Sequence, residues 1–361
     1  MRFDQIIIWL MTAFLVLGGI DRIFGSRLKL GTAFENGIRT MGELALSMLG
    51  IMVLAPVIAD ILTPVVTPVF AFLGADPAIF AGAILACDMG GAPLAQELAA
   101  TPEAAKLGGL IVASTLGGTI SFTIPFSMST LQEKDRPFAA KGILCGVVTL
   151  PIGIFVGGLA AGFPVGMVAL NCVPVIIISL LIALGLWKAE RILIKAFVYF
   201  GKFITAVATV GLVAAGVQST TGLVLIPNLA SVEESFIVVG QIAIVLAGAF
   251  PLIAVLTKVL KKPFVWIGKR MGVNDTAVSG LVASLANSIA AIDMVKDMDR
   301  RGKVVNMAFG VSGAFVFGDH LAFTAGFDAE MIPSLIVGKL VGGITAVALA
   351  LLVTKKEKTA E

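Results

Sequence analysis

The chain has 361 residues, of which 58% are apolar in the broad sense that includes Ala, Cys, Tyr and Trp, and only 14% are charged, against about 25% charged in an ordinary globular domain. Its mean hydropathy is +1.02, and most stretches between charged clusters stay apolar for about 18 residues or more, the length that spans a hydrocarbon core about 30 Å thick. This excludes a water-soluble globular protein. The formal charge of +3 sits in short basic clusters between apolar runs, so it reports orientation in a membrane and not affinity for nucleic acid.

Taken in chain order, the apolar runs predict nine full helical spans at 3–20, 41–60, 107–130, 139–160, 164–187, 197–217, 236–257, 304–325 and 335–354. Residues 3–20 lack a basic leader and a small-residue cleavage site, which predicts a retained first span and not a removed signal peptide. The 40 glycines suit closely packed or interrupted helices, and the runs lack the two-residue alternation of a β-barrel. The expected fold class is therefore all-α and polytopic. Two stretches, 61–100 and 263–296, carry breakers: Pro64, Pro68, Gly74, Pro77, Gly90, Gly91 and Pro93 in the first, and Pro263, Gly268, Gly272 and Gly280 in the second.

Lysine and arginine fall into six clusters, around 22–39, 134–141, 188–202, 258–270, 296–303 and 355–358, which hold 23 of the 26 cations. The positive-inside rule puts all six in the cytoplasm. The N-terminus is then outside, the C-terminus inside, and each special stretch makes no net crossing, as a re-entrant hairpin of half-helices would. Non-helical backbone at that depth is tolerated only where it is buried in protein or lines a cavity.

The halves match weakly but in order. Gly74-Ala-Asp-Pro precedes Gly82 with the same spacing by which Gly272-Val-Asn-Asp precedes Gly280, Leu85-Ala86 matches Leu285-Ala286, Gly118 matches Gly318, and Lys141 pairs with Lys339. The charge rule gives partner spans opposite directions. This predicts an inverted repeat of halves 1–160 and 195–361 joined by a linker span within 161–194, the organisation of transporters that hold substrate between broken helices near the midplane.

Ionisable groups at membrane depth cost at least ~2.5 to 3.5 kcal/mol each on insertion scales, so each asks for a role. Asp88 lies beside the Gly90-Gly91 break, where carboxylate and freed carbonyls suit a cation; helix capping is its plainer reading. Asp319 and His320 lie among Phe315, Phe317 and Phe323, and a carboxylate between ring faces suits a small ammonium group. The alternative is an Asp–His pair that only ties helices together, which is the better reading for His320 alone. Asn287 and Ser288 at the second break are candidate partners for a substrate hydroxyl, or ordinary polar glue between helices. Lys141 and Lys339 read as snorkelling residues near span ends. Neither a nucleophile–base pair nor a phosphate-cradling loop points to an enzyme, and a single histidine with three scattered cysteines shows no metal-ligand spacing. No cofactor is expected.

The run Gly74-Ala-Asp-Pro, then Leu85-Ala-Cys-Asp-Met-Gly-Gly, and later Gly318-Asp-His-Leu-Ala-Phe resembles the EutH family, the membrane protein of bacterial ethanolamine utilisation, over essentially the whole chain. The resemblance implies a multi-pass protein of the bacterial cytoplasmic membrane, with the lipid bilayer around it, that passes ethanolamine into the cell. It supplies no site residues; those remain Asp88, Gly90, Gly91, Asn287, Ser288, Asp319, His320 and Phe323. Ethanolamine is a small cation with one hydroxyl, which agrees with that set. The competing expectation is a sodium- or proton-coupled carrier of another small metabolite, and a homo-oligomer is left open.

Overall fold

The computed structural model describes residues 3–355, without the side chains of 260–262, 264–267 and 269. Lys356 and Lys358, and the side chains of Lys261, Lys262 and Lys269, which enter the charge argument, thus lie outside what is described. Every regular element among the described residues is helical. In chain order these are α1 (Phe3–Ile23), α2 (Leu30–Phe72), the short α3 (Ala78–Ile84) and α4 (Gly91–Leu98), α5 (Pro102–Thr130), α6 (Arg136–Ala160), α7 (Val165–Lys188), α8 (Glu190–Thr221) and α9 (Val232–Met271). The short α10 (Asp275–Ala286), α11 (Ser288–Met294), α12 (Arg300–Gly313) and α13 (Asp319–Phe327) follow, and α14 (Ala329–Val353) ends the bundle.

Eight helices among the described residues are long and apolar enough to cross a membrane, one fewer than the nine expected. The missing one is 304–325, which is not a single helix: α12 stops at Gly313, residues 314–318 are non-helical, and α13 starts at Asp319. Phe315 and Phe317 donate backbone N–H bonds of 2.9 Å to the carbonyls of Ser284 and Leu285, so two of the N–H groups freed by the break are taken up by the end of α10. Apolar composition cannot distinguish that arrangement from a continuous helix, because the break is stabilised by a neighbour remote in sequence.

The two special stretches are also shorter than expected. Helix α2 runs on to Phe72 with Pro56, Pro64 and Pro68 inside it, and α9 continues to Met271 through Pro263. Proline is tolerated inside such helices because neighbours and local adjustments take up the freed carbonyls. The interruptions fall instead at the left-handed Gly74 and Gly272, with φ of +68° and +66°, and at Leu85–Gly90 and Asn287.

Helices α5, α6, α12 and α14 form the packed centre, with α3 and α4 against α5; α1, α2, α8 and α9 lie around it. Nearly all of α5 is buried, and only a small part of α1 or α8 is. One close central crossing is α6 on α14, where a Cβ on Gly153 would stand 2.6 Å from the Gly338 carbonyl oxygen and 2.9 Å from the Gly342 Cα. Gly153 and Gly157 on one helix and Gly338 and Gly342 on the other repeat the small-residue spacing that lets two backbones meet. In the absence of a hydrophobic drive between helices in lipid, such contact supplies the cohesion.

Two ion pairs between residues far apart in sequence mark opposite ends of α5. Lys106, near its start, meets Asp328, which follows α13, at 2.8 Å; Asp135, just past its end, meets Lys303 of α12 at 2.6 Å. The intervening helix is roughly 35 Å long. The second pair is the drier, with side chains 1% and 10% exposed, so Lys303 is a buried ion-paired residue and not part of a solvated basic face.

Candidate functional site

Between those ends the middle of α5 departs from α geometry, with π-helical turns over Leu107–Gly117 and Thr119–Thr123. Wide turns of this kind loosen the carbonyl ladder and collect at functional positions. Here they face a cavity of about 310 Å³ lined by Ser114, Thr115, Gly118, Phe122 and Thr123 of α5. The same cavity is lined by Thr40, Glu43 and Ser47 of α2, Asp88 of the first interruption, Asn287 of the second, Phe315 and Asp319 of the third, His320, and Lys339 of α14. Three of the helix interruptions, at Leu85–Gly90, Asn287 and 314–318, thus converge on one space.

Of the residues singled out from sequence, Asp88, Asn287, Asp319 and His320 line the cavity, while Gly90, Gly91, Ser288 and Phe323 are not among its lining residues. Gly90 has φ of +90° and, with a Cβ, would collide with the Ile51 side chain; it turns the chain so that Asp88 presents to the cavity. The Gly91 N–H donates to the Ala86 carbonyl at 2.9 Å and closes that turn. Ser288 is buried with an unpartnered hydroxyl. Phe323 is fully buried and stacks on Phe327 at 5.2 Å. Asn287 caps α11, its side-chain oxygen accepting from the Ile289 N–H at 2.8 Å.

The rings that do reach the cavity are Phe122 and Phe315, edge to face at 5.9 Å, and the Phe315 ring lies 5.1 Å from that of His320. Phe315 is held at φ of +60°, a conformation that costs a bulky residue of order 1–3 kcal/mol and that clusters at functional sites. Sequence composition had no signal for Phe122, because an apolar ring in an apolar helix is unremarked until its neighbours are known.

Lys339 overturns the snorkelling expectation. It is 1% exposed, and its Nζ donates to the Ser114 carbonyl oxygen and lies 3.1 Å from His320 Nδ1. Position near a span end suggested an escape to the headgroups; the packing of α14 against α5 closes that route. On the far side of the ring, His320 Nε2 is 3.9 Å from Asp88 Oδ1. Neither Asp88 nor Asp319 accepts a hydrogen bond from another side chain among the described residues, so both carboxylates remain available to a bound group. Cys87, Asp88 and His320 also bring ligand-type atoms within 4.8 Å of one another, a cluster that spacing did not reveal. A metal ion there would stand beside the Lys339 ammonium, which repels it.

A multi-pass helical membrane protein whose interrupted helices enclose a small cavity lined by carboxylates, rings and hydroxyls has the make-up of a membrane permease. Comparison with known proteins agrees. The family model described as "Ethanolamine utilisation protein, EutH" matches residues 3–353, and the chain belongs to that family. It is 52% identical to the probable ethanolamine permease EutH of Listeria monocytogenes, over 100% of this chain and 98% of that protein. It is 42% identical to the protein of the same name from Salmonella typhimurium, over 100% and 98%, and 45% identical to the uncharacterized protein YxeR of Bacillus subtilis, over 97% and 95%. No solved structure matches.

Proposed function

We propose that the protein carries ethanolamine across the bacterial cytoplasmic membrane into the cell by alternating access, with the ammonium group held by Asp88 and Asp319 and the hydroxyl met by Asn287 or by the Thr115 and Thr123 hydroxyls. The observation that carries this reading is the convergence of both carboxylates, with Phe122 and Phe315, on one cavity of about 310 Å³. A small hydroxylated cation needs opposite charge, ring faces and one polar partner, and no large recognition surface. Initial uptake of labelled ethanolamine into proteoliposomes is expected to saturate and to be competed by short amino alcohols more than by ethanol or ethylene glycol. Equal competition by the uncharged alcohols would sink the ammonium assignment.

The halves 1–160 and 195–361, with 161–194 between them, fit an inverted repeat. Support comes from the order of elements, two long helices, a broken pair, an interrupted or π-helical span and a final span in each half, and from the paired left-handed Gly74 and Gly272. The ion pairs are reciprocal: Lys106 of the first half binds Asp328 of the second, and Lys303 of the second binds Asp135 of the first. With the basic clusters in the cytoplasm, the N-terminus lies outside. Single cysteines at 225–232 are then expected to react with an impermeant maleimide in intact cells, and those at 134–136 to stay unlabelled; the opposite pattern inverts the orientation.

A further inference from the structure

The buried lysine in this cavity is unexplained by substrate binding alone. Lys339 stands across the His320 ring from Asp88, one of the carboxylates an ammonium substrate would use, and as an ammonium it competes with the substrate for that charge. The groups that face it from the surrounding elements are few. Cys87 and Asp88 come from the turn between α3 and α4, Glu43 from α2, and His320 and Asp319 from α13. Helix α5 brings no ionisable group to the cavity lining, α12 brings Gly310 and Val311, and the second interruption brings Asn287.

Chemistry fixes how the row works. A lysine ammonium has donors only, so with Lys339 protonated the His320 Nδ1 accepts and the ring hydrogen is on Nε2, toward Asp88. If the Nε2 hydrogen passes to the Asp88 carboxylate while Nδ1 takes one from Lys339, the ring ends neutral in its other tautomer, Lys339 becomes an amine, and Asp88 becomes a carboxylic acid. Asp88 then loses that proton to cavity water and is again a carboxylate, now without a competing cation behind it. Every proton is accounted for, and the 3.9 Å between Nε2 and Oδ1 is a gap that a bridging water or a small rotation of the carboxyl closes.

We propose that Lys339, His320 and Asp88 form a proton relay by which the Lys339 proton and the substrate ammonium occupy the cavity in alternation, so that each ammonium carried one way is exchanged for a proton carried the other. The inference rests on the ammonium reading of the cavity above. The loaded site, with substrate cation and Lys339 amine, and the returning site, with Lys339 ammonium, carry the same net charge, and transport is electroneutral.

Proteoliposomes given labelled ethanolamine test this, with protein-free vesicles setting the leak of the uncharged base. Initial uptake above that leak is expected to rise several-fold under an inside-acid gradient of about one pH unit, a tenfold proton ratio, and to be unchanged by an imposed inside-negative potential. Lys339→Met removes the charge at similar volume, a replacement that buried ion clusters tolerate, and His320→Gln keeps a polar side chain without a second titrating nitrogen; both are expected to lose the acceleration by the proton gradient. Wild-type uptake that follows the potential and ignores the proton gradient would overturn the relay, as would full acceleration in both variants. Saturable ethanolamine uptake that is potential-driven would leave the substrate reading standing while the relay falls, whereas no uptake above leak under any gradient removes both.

Discussion

Asp88→Asn is expected to lower ethanolamine uptake at subsaturating concentration by about 10- to 100-fold, and Asp319→Asn by the same order, in proteoliposomes at matched protein content. A hydrogen bond to a charged partner is worth about 1.5–3 kcal/mol, and each 1.4 kcal/mol is about tenfold in affinity. The amide keeps the shape of the carboxylate and removes its charge, so a loss reports electrostatics and not a collapsed cavity. Both carboxylates line one cavity and neither accepts a side-chain hydrogen bond among the described residues, which is why neither substitution should prevent insertion. Wild-type rates in both variants would remove these residues from transport.

The largest stability effect should come from the far end of the bundle. Asp135→Ala leaves Lys303, with its side chain 10% exposed, as a buried cation without its carboxylate, and breaking such a pair typically costs about 3–5 kcal/mol. A thermal melt of the purified protein in detergent should show a clear drop in midpoint for this variant. Replacing both partners, as in Asp135→Leu with Lys303→Met, should restore most of it, because the penalty lies in the stranded charge. The wetter pair behaves differently: Lys106 and Asp328, 36% and 20% exposed, are in the range where an ion pair contributes about 1 kcal/mol or less. Lys106→Ala should therefore barely move the melt. Equal losses at the two ends would show that burial is not what separates them.

Much of the fold was legible because the bilayer leaves few choices. Runs of about 18 apolar residues must be helices when no water is present to satisfy the backbone, and six of the nine predicted spans lie wholly within long helices among the described residues, while 164–187 starts one residue before α7 and 335–354 passes one residue beyond α14. The exception, 304–325, failed for a reason that composition cannot carry. Within 314–318 the Phe315 and Phe317 N–H groups are taken up by Ser284 and Leu285, about 30 positions away in the chain. Prolines misled in the other direction: Pro64, Pro68 and Pro263 look like breaks and sit inside helices, while Gly74 and Gly272 are true ends because only their left-handed backbone lets the chain turn.

At the cavity the rare charges spoke for themselves. A carboxylate in a hydrophobic run is costly enough to imply a partner, and Asp88, Asp319 and His320 were legible on that ground, as was the family likeness carried by the motifs around them. The sequence by itself determined the class of protein, the helical spanning segments and a short set of charged candidates, since each follows from the energy of placing single groups in lipid. Only the tertiary structure decided that Lys339 is buried and bonded to Ser114 and His320, that Phe122 and Phe315 are the cavity's rings while Phe323 is core, and that Cys87, Asp88 and His320 are neighbours. Those facts depend on which helices cross and at what height, and helix crossings in a membrane are set by small-residue contacts such as Gly153 on Gly338, which hydropathy does not encode.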